Sequence, residues 1–210
     1  MKYHLGCGSQ YLEGYINVDF PSENHNVNHD IRADIYIDIL KMSYDDCDEI
    51  RSHHFFEHFN YFDTMVLLLK WTNSLKLNGK LIIDLPDLEE LCKAYLAADN
   101  KTKFLIVRYM YGSHEADWAY HINGWSKDTL EYILKELGYS IQHVKKYGNF
   151  TDKQPNCGIT ITAILENKIT AEEIKNKIMN FLALYKNGNT DFENSLYDYF
   201  TSELLTKIEG

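Results

Sequence analysis

Short alternating apolar stretches interleaved with helical periodicity predict an α/β fold built on a mostly parallel sheet. Three features carry that expectation. Strand-like and helix-like segments alternate through most of the 210 residues. The first strand-like segment, "KYHLG", runs straight into a Gly-rich turn. Two consecutive strand-like segments, "SIQHVKKY" and "GITITAILE", close the pattern as an antiparallel pair.

The elements follow in order. "GYINVDF" alternates apolar and polar residues and ends near Asp19, a second strand. "ADIYIDIL" alternates again and ends near Asp38, a third. "DEIRSHHF" reads as a fourth strand entering a loop. "NYFDTMVLLLKWTNSLK" has helical periodicity, with Phe62, Val66, Leu69 and Leu75 able to share a face. "GKLIIDLPD" is a strand that Pro86 closes, and "DLEELCKAYLAA" a helix. Residues 101–125 read as irregular. "SKDTLEYILKELGY" is a helix with Ser126 as N-cap and Gly138 at its end. After Glu166 come two amphipathic helices joined by "KNGNTD". The expected organisation is a core domain over residues 1–165 and a helical extension over 166–210. That helical pair could pack on the core, cap a sheet edge or form a homodimer interface.

Composition narrows the function classes. Hydrophobic residues make up 45% and charged residues 25%, ordinary globular values. The formal net charge is −10. An acidic surface repels phosphate backbones, so no nucleic acid partner is expected. The four cysteines, Cys7, Cys47, Cys92 and Cys157, are widely spaced and form no C-x-x-C pair, which suits free thiols in a reducing compartment. "KYHLGCG" has no cationic head and apolar run of a signal peptide, and "MVLLL" is too short to span a bilayer. A cytoplasmic location without membrane attachment is the expectation.

The chemistry-bearing motifs begin with "HLGCGSQYLEGYINVDF". A Gly-rich turn after a first strand brings backbone close to a ligand. An acid ending the next strand can accept hydrogen bonds from ribose hydroxyls. The dinucleotide pattern G-x-G-x-x-G fails, because Gly6, Gly8 and Tyr11 occupy its three places. A nucleoside cofactor without a pyrophosphate is indicated.

The ordered set "HLGCGSQYLEGYINVDF", "ADIYIDI", "IRSHHFFEHF", "WTNSLKLNGKLIIDLPD" resembles the class I S-adenosylmethionine (SAM)-dependent methyltransferases. The likeness is greatest to short bacterial members linked to sugar, capsule or surface-polysaccharide modification. It covers roughly residues 2–165 and implies a Rossmann-like sheet. It further implies that Gly6, Cys7 and Gly8 line the methionine part of SAM and that Asp19 holds the ribose. Asp38 would lie near the adenine with Ile39 packing on it, and Ser52 and His53 would border the sulfonium. Three departures stand out. His4 replaces the acid often found two residues before the first Gly. The interval from the Gly turn to Asp19 is too short for a full helix. Asn78 replaces a Gly in "LKLNG".

The acceptor side is expected in "RYMYGSHEADWAYHINGW", residues 108–125, a segment more polar and aromatic than a connector requires. A hydroxyl acceptor calls for a general base, and histidine suits neutral pH. His121 is the first choice, then His114, then His54. Tyr111, Asp117, Trp118 and Asp87 are the expected acceptor contacts, and Asp84 could orient the acceptor or cap its strand. The expected partner is a small molecule.

Other readings compete. His54-Phe55-Phe56-Glu57-His58 spells H-x-x-E-H, a zinc-peptidase signature. It would need His54 and His58 on one helical turn, and a strand exit would splay them, so no metal is expected. Glu57 then reads as a charge favouring a helix N-terminus, and His58 as packing beneath the sheet edge. A SAM-binding scaffold protein without methyl transfer is a further class. His25, His29 and Asp30 could hold a metal, though a solvated loop suits them better.

Overall fold

A computed structural model describes residues 1–21, 26, 30–148, 150–151 and 154–209. Seven strands form one sheet. They are β1 (Lys2–Leu5), β2 (Ile16–Asp19), β3 (Ile35–Tyr36), β4 (Cys47–His53), β5 (Leu75–Pro86), β6 (Tyr139–Tyr147) and β9 (Gly158–Leu165). Their spatial order is β3-β2-β1-β4-β5-β9-β6. The first five are parallel, and β9 runs antiparallel to both β5 and β6. This is the predicted architecture, with the closing pair as expected. A short hairpin, β7 (Phe150–Thr151) with β8 (Gln154–Pro155), lies between the last two strands in sequence.

The helices are α1 (Tyr61–Ser74), α2 (Leu88–Ala97), α3 (Asn100–Tyr111), α4 (Lys127–Glu136), α5 (Ala171–Leu184) and α6 (Asp191–Glu209). Ser126 caps α4 through a capping box with Thr129, as its sequence predicts. α3 corrects the expectation of irregular structure from residue 101. Asp99 caps it by accepting from the Thr102 amide at 2.8 Å, and Ile106 is buried beside Leu91 and Cys157. The third strand is shorter than predicted, because the chain turns after Tyr36 into a 3₁₀ turn at Ile39–Lys41.

The two faces of the sheet differ. One packs Tyr3, Leu5, Val18, Ile50, Leu81 and Ile83 into a core with Met65, Trp71, Leu130 and Leu134 of the helices. The other is polar. Register sets His4 beside Asn17 and Arg51, Glu49 beside Lys80, and His53 beside Asp84. Parallel sheets are normally covered on both faces. Here no helix joins β1 to β2, and none is present among the described residues between β2 and β3. Those are the crossovers that would cover the polar face. Side-chain pairs form across it instead, with His4 Nε2 left unpartnered. His4 meets Asn17 at 3.1 Å and Lys80 meets Glu49 at 3.2 Å.

α5 and α6 pack on α1 rather than standing apart. Ile174, Ile178, Phe181, Leu182 and Leu204 belong to the same core as the sheet. Tyr61 stacks on Tyr185 at 4.4 Å and Phe62 on Phe200 at 5.4 Å. Among the described residues, no helix is long and apolar enough to cross a membrane.

Candidate active site

The carboxyl ends of β1, β2 and β4 open into a cavity of about 520 Å³. Ligands in open α/β sheets bind at such ends. One wall is the turn Gly6–Cys7–Gly8 with Asp19. The other carries His53, His54, His58 and Trp118.

The turn is built from backbone pairing. The Gly6 amide donates to Val18 O at 3.0 Å, and Gly8 N donates to Asp19 Oδ2 at 2.5 Å. Asp19 Oδ1 also accepts from Phe20 N at 2.7 Å. The carboxylate thus fixes the turn. Cys7 is buried, and burial together with Asp19 pushes its thiol up to about 12, so it stays protonated. Trp118 stacks on Phe20 with ring centres 6.4 Å apart and meets His58 edge-on at 5.8 Å.

Behind the histidine wall lies a buried carboxylate network. Glu57 Oε1 takes His54 Nδ1 at 3.2 Å and lies 4.0 Å from His121 Nε2. Burial alone would raise the Glu57 pKa, but the His54 hydrogen bond and the charges of His58, His54 and His121 bring it below the ordinary value. For His54, burial works downward, yet Glu57 and Asp84 prevail and raise it. His54 Nε2 meets the Tyr147 hydroxyl at 3.1 Å, and that hydroxyl donates to Asp84 Oδ1 at 2.7 Å. Asp84 also accepts from Thr160. His53 moves the other way. Burial first, then the His54 charge, lowers it to about 4.

His53 therefore stays neutral well below its ordinary pKa of about 6.5. The unfolded chain takes up a proton that the folded one refuses. The stability it contributes is complete above about 6.5 and is lost as pH falls from there towards 4. Imidazole proton NMR should find the His53 ring still neutral at about pH 5.5. A midpoint near 6.5 would refute its burial beside His54.

The sequence expectations sort as follows. Gly6, Cys7, Gly8, Asp19, His53, His54 and Trp118 meet around one cavity. Ser52 is fully buried one residue behind the wall. Asp38 and Ile39 are not brought there, because the chain turns away after Tyr36. Asp38 caps the 3₁₀ turn by accepting from Leu40 N at 3.1 Å, and Ile39 is fully buried in the core. Asp87 caps α2 and does not line this cavity. It is fully buried, accepts from the Glu89 and Glu90 amides, and pairs with Lys146 at 3.0 Å. Tyr111 ends α3 with its side chain 57% exposed, and Asp117 is exposed. His114 is exposed and its Nε2 donates to Tyr111 O at 2.9 Å, away from Glu57. His121 stands behind the cavity wall at Glu57, and burial lowers its pKa.

The H-x-x-E-H ligand set does not form on one helical turn. His53 ends β4, His54 has φ +44°, and only a 3₁₀ turn, Phe56–His58, follows. His54 and His58 fall in separate clusters, His54 with Asp84 and His58 with His121. His58 lines the cavity rather than packing beneath the sheet. Glu57, the hub of the network, is more than a helix-terminal charge. Its only sequence signal was its place between two histidines. His25 and His29 lie outside the described residues.

No protein-family model matches the chain, and neither does any curated protein sequence. Solved structures do match. A SAM-dependent methyltransferase from Methanosarcina mazei aligns at TM-score 0.52 and 14% identity, over 78% of this chain and 91% of its own. One from Mesorhizobium loti aligns at 0.50 and 15%, over 78% and 89%. The plantazolicin methyltransferase BpumL, solved with S-adenosylhomocysteine, aligns at 0.50 and 15%, over 79% and 76%. Likeness at this identity concerns architecture. The chain has the Rossmann-like fold of the class I SAM-dependent methyltransferases, elaborated by a pair of C-terminal helices.

Proposed function

We propose that the chain binds SAM and transfers its methyl group to an oxygen of a small hydroxylated or phosphorylated metabolite, a sugar or surface-polysaccharide precursor. One observation carries the reading. A single cavity joins a backbone turn pinned by Asp19 to a wall of histidines and an indole. The residues suit the cofactor. Nothing lies within 4 Å of where a Gly8 Cβ would stand, so backbone there is open to a ligand. Asp19 has lone pairs left for ribose hydroxyls. The bound cofactor would supply an electrophilic methyl on a sulfonium.

The chain's own work is placement and proton handling. Gly6 and Gly8 hold the methionine part, and Trp118 gives an aromatic wall for a sugar ring. Holding the two reactants in line supplies much of the rate. A hydroxyl must also lose its proton, and we assign that proton to His54 Nε2, which the acceptor hydroxyl reaches by taking the place of the Tyr147 hydroxyl that now stands 3.1 Å from it. Glu57 holds Nδ1 of the same ring and raises its basicity, which favours it as a proton acceptor. A phosphate oxygen would need no base.

Calorimetric titration with SAM and S-adenosylhomocysteine tests the cofactor, and absence of binding by both sinks the reading. With hydroxylated acceptors, His54→Gln should lower turnover roughly 100-fold or more while SAM affinity stays within about twofold. Equal loss of both would make His54 structural.

A further inference from the structure

Glu57 and His58 follow β4, while His121 lies far along the chain in the connection after α3. One ligand atom from each, a carboxylate oxygen and two imidazole nitrogens, lies within 4.8 Å of the others. Glu57 is 2% exposed, and its Oε2 has no hydrogen-bond partner although Oε1 holds His54. A buried carboxylate oxygen left so is costly. A backbone group holds one imidazole from outside: His58 Nδ1 donates to Tyr120 O at 3.0 Å, which leaves its Nε2 for a ligand. Such outer hydrogen bonds fix the tautomer and orientation of metal-binding histidines.

We propose that Glu57, His58 and His121 form a binding site for a divalent first-row transition ion, zinc by ligand chemistry, at the back of the cavity. Two imidazoles and one carboxylate are the donor set of zinc sites that keep an open position. The hard ions magnesium and calcium prefer oxygen alone. Bonds of about 2.1 Å set donors roughly 3.4 Å apart, so the side chains need close by only about an ångström. His58 lines the cavity, which places the open position within reach of a bound small molecule. The neighbouring trio His53, His54 and Asp84 is a poorer site, because Tyr147 and Thr160 already engage Asp84 and both His54 nitrogens are taken. The proposal rests on the donors alone and not on methyl transfer, although Glu57 also holds His54 through Oε1.

The test uses the full chain, tag-free and stripped with chelator. It is titrated with Zn²⁺ by calorimetry and with Co²⁺ by visible absorption. The expected result is one equivalent of Zn²⁺, the intense cobalt spectrum of a low-coordinate site, and affinity weakened more than about 100-fold in His58→Ala and His121→Ala. His143→Ala, an exposed histidine on β6, should bind as before. No saturable Zn²⁺ uptake by the unaltered chain overturns the site. So does uptake that survives both substitutions, or a pale octahedral cobalt spectrum. The cobalt spectrum of the unaltered chain decides even where a variant fails to fold. SAM titration of the same stripped protein separates the two readings. SAM binding without zinc removes the metal site alone, and zinc binding without SAM removes the methyltransferase reading alone.

Discussion

Asp19→Ala should weaken SAM binding roughly 100-fold, the largest loss expected from any single cavity side chain. Asp19 ends β2 and already accepts the Gly8 and Phe20 amides, so its carboxylate both shapes the turn and presents its remaining lone pairs to the cavity. Hydrogen bonds to a charged group contribute about 1.5–3 kcal/mol each. On the proposed reading, losing one such ribose contact costs about 1.5–3 kcal/mol, and a loosened Gly8 turn adds to it. Asp19→Asn keeps one acceptor oxygen and should fall between, about tenfold weaker. Calorimetry on the three proteins gives the order directly. Unchanged affinity in Asp19→Ala would mean that the ribose is held elsewhere.

Gly6→Ala should destabilise the fold by about 2–5 kcal/mol. Two causes add. Gly6 has φ +67°, in the left-handed region, which costs an L-residue about 1–2 kcal/mol. A Cβ there would also stand 2.6 Å from Phe55 Cβ and 3.0 Å from His53 O, both beside the rigid exit of β4. Forcing that contact costs about 1–3 kcal/mol more. Gly8 is the internal control. Its φ is +51°, but its Cβ would meet nothing, so Gly8→Ala should cost only the conformational part. Urea denaturation should show the Gly6 midpoint well below the Gly8 midpoint. Equal midpoints would refute the close approach of β1's turn to β4's exit.

Much of this was legible in the chain because its strands alternate. "KYHL", "INVD" and "EIRSH" put apolar residues on one face and polar residues on the other. The third strand looks longer in the sequence than it is for a related reason. "ADIYIDIL" alternates, but Ile35 and Tyr36 sit on the sheet edge, 38% and 47% exposed, and the pattern continues into a turn. α3 is not legible in the sequence because it lacks a buried stripe. Phe104, Leu105, Val107 and Tyr111 are exposed and Ile106 alone is buried, so periodicity gave no signal. In the site, the turn, Asp19 and the strand-four histidines belong to short local motifs that stand next to one another in the sequence. The convergence of Glu57 with His121, and of His54 with Tyr147 and Asp84, is tertiary. No spacing in the sequence encodes it.

The packing of α5 and α6 on α1 bears on how the chain is made. Phe62 finds its ring partner, Phe200, and Asp63 its ion-pair partner, Lys207, only in the last helix. During synthesis the sheet and α1 emerge first, with an apolar helix face still wet. Closing so long a loop is entropically slow, and a half-covered intermediate is sticky. A nascent chain stalled near residue 165 should be a better chaperone client than the 210-residue chain.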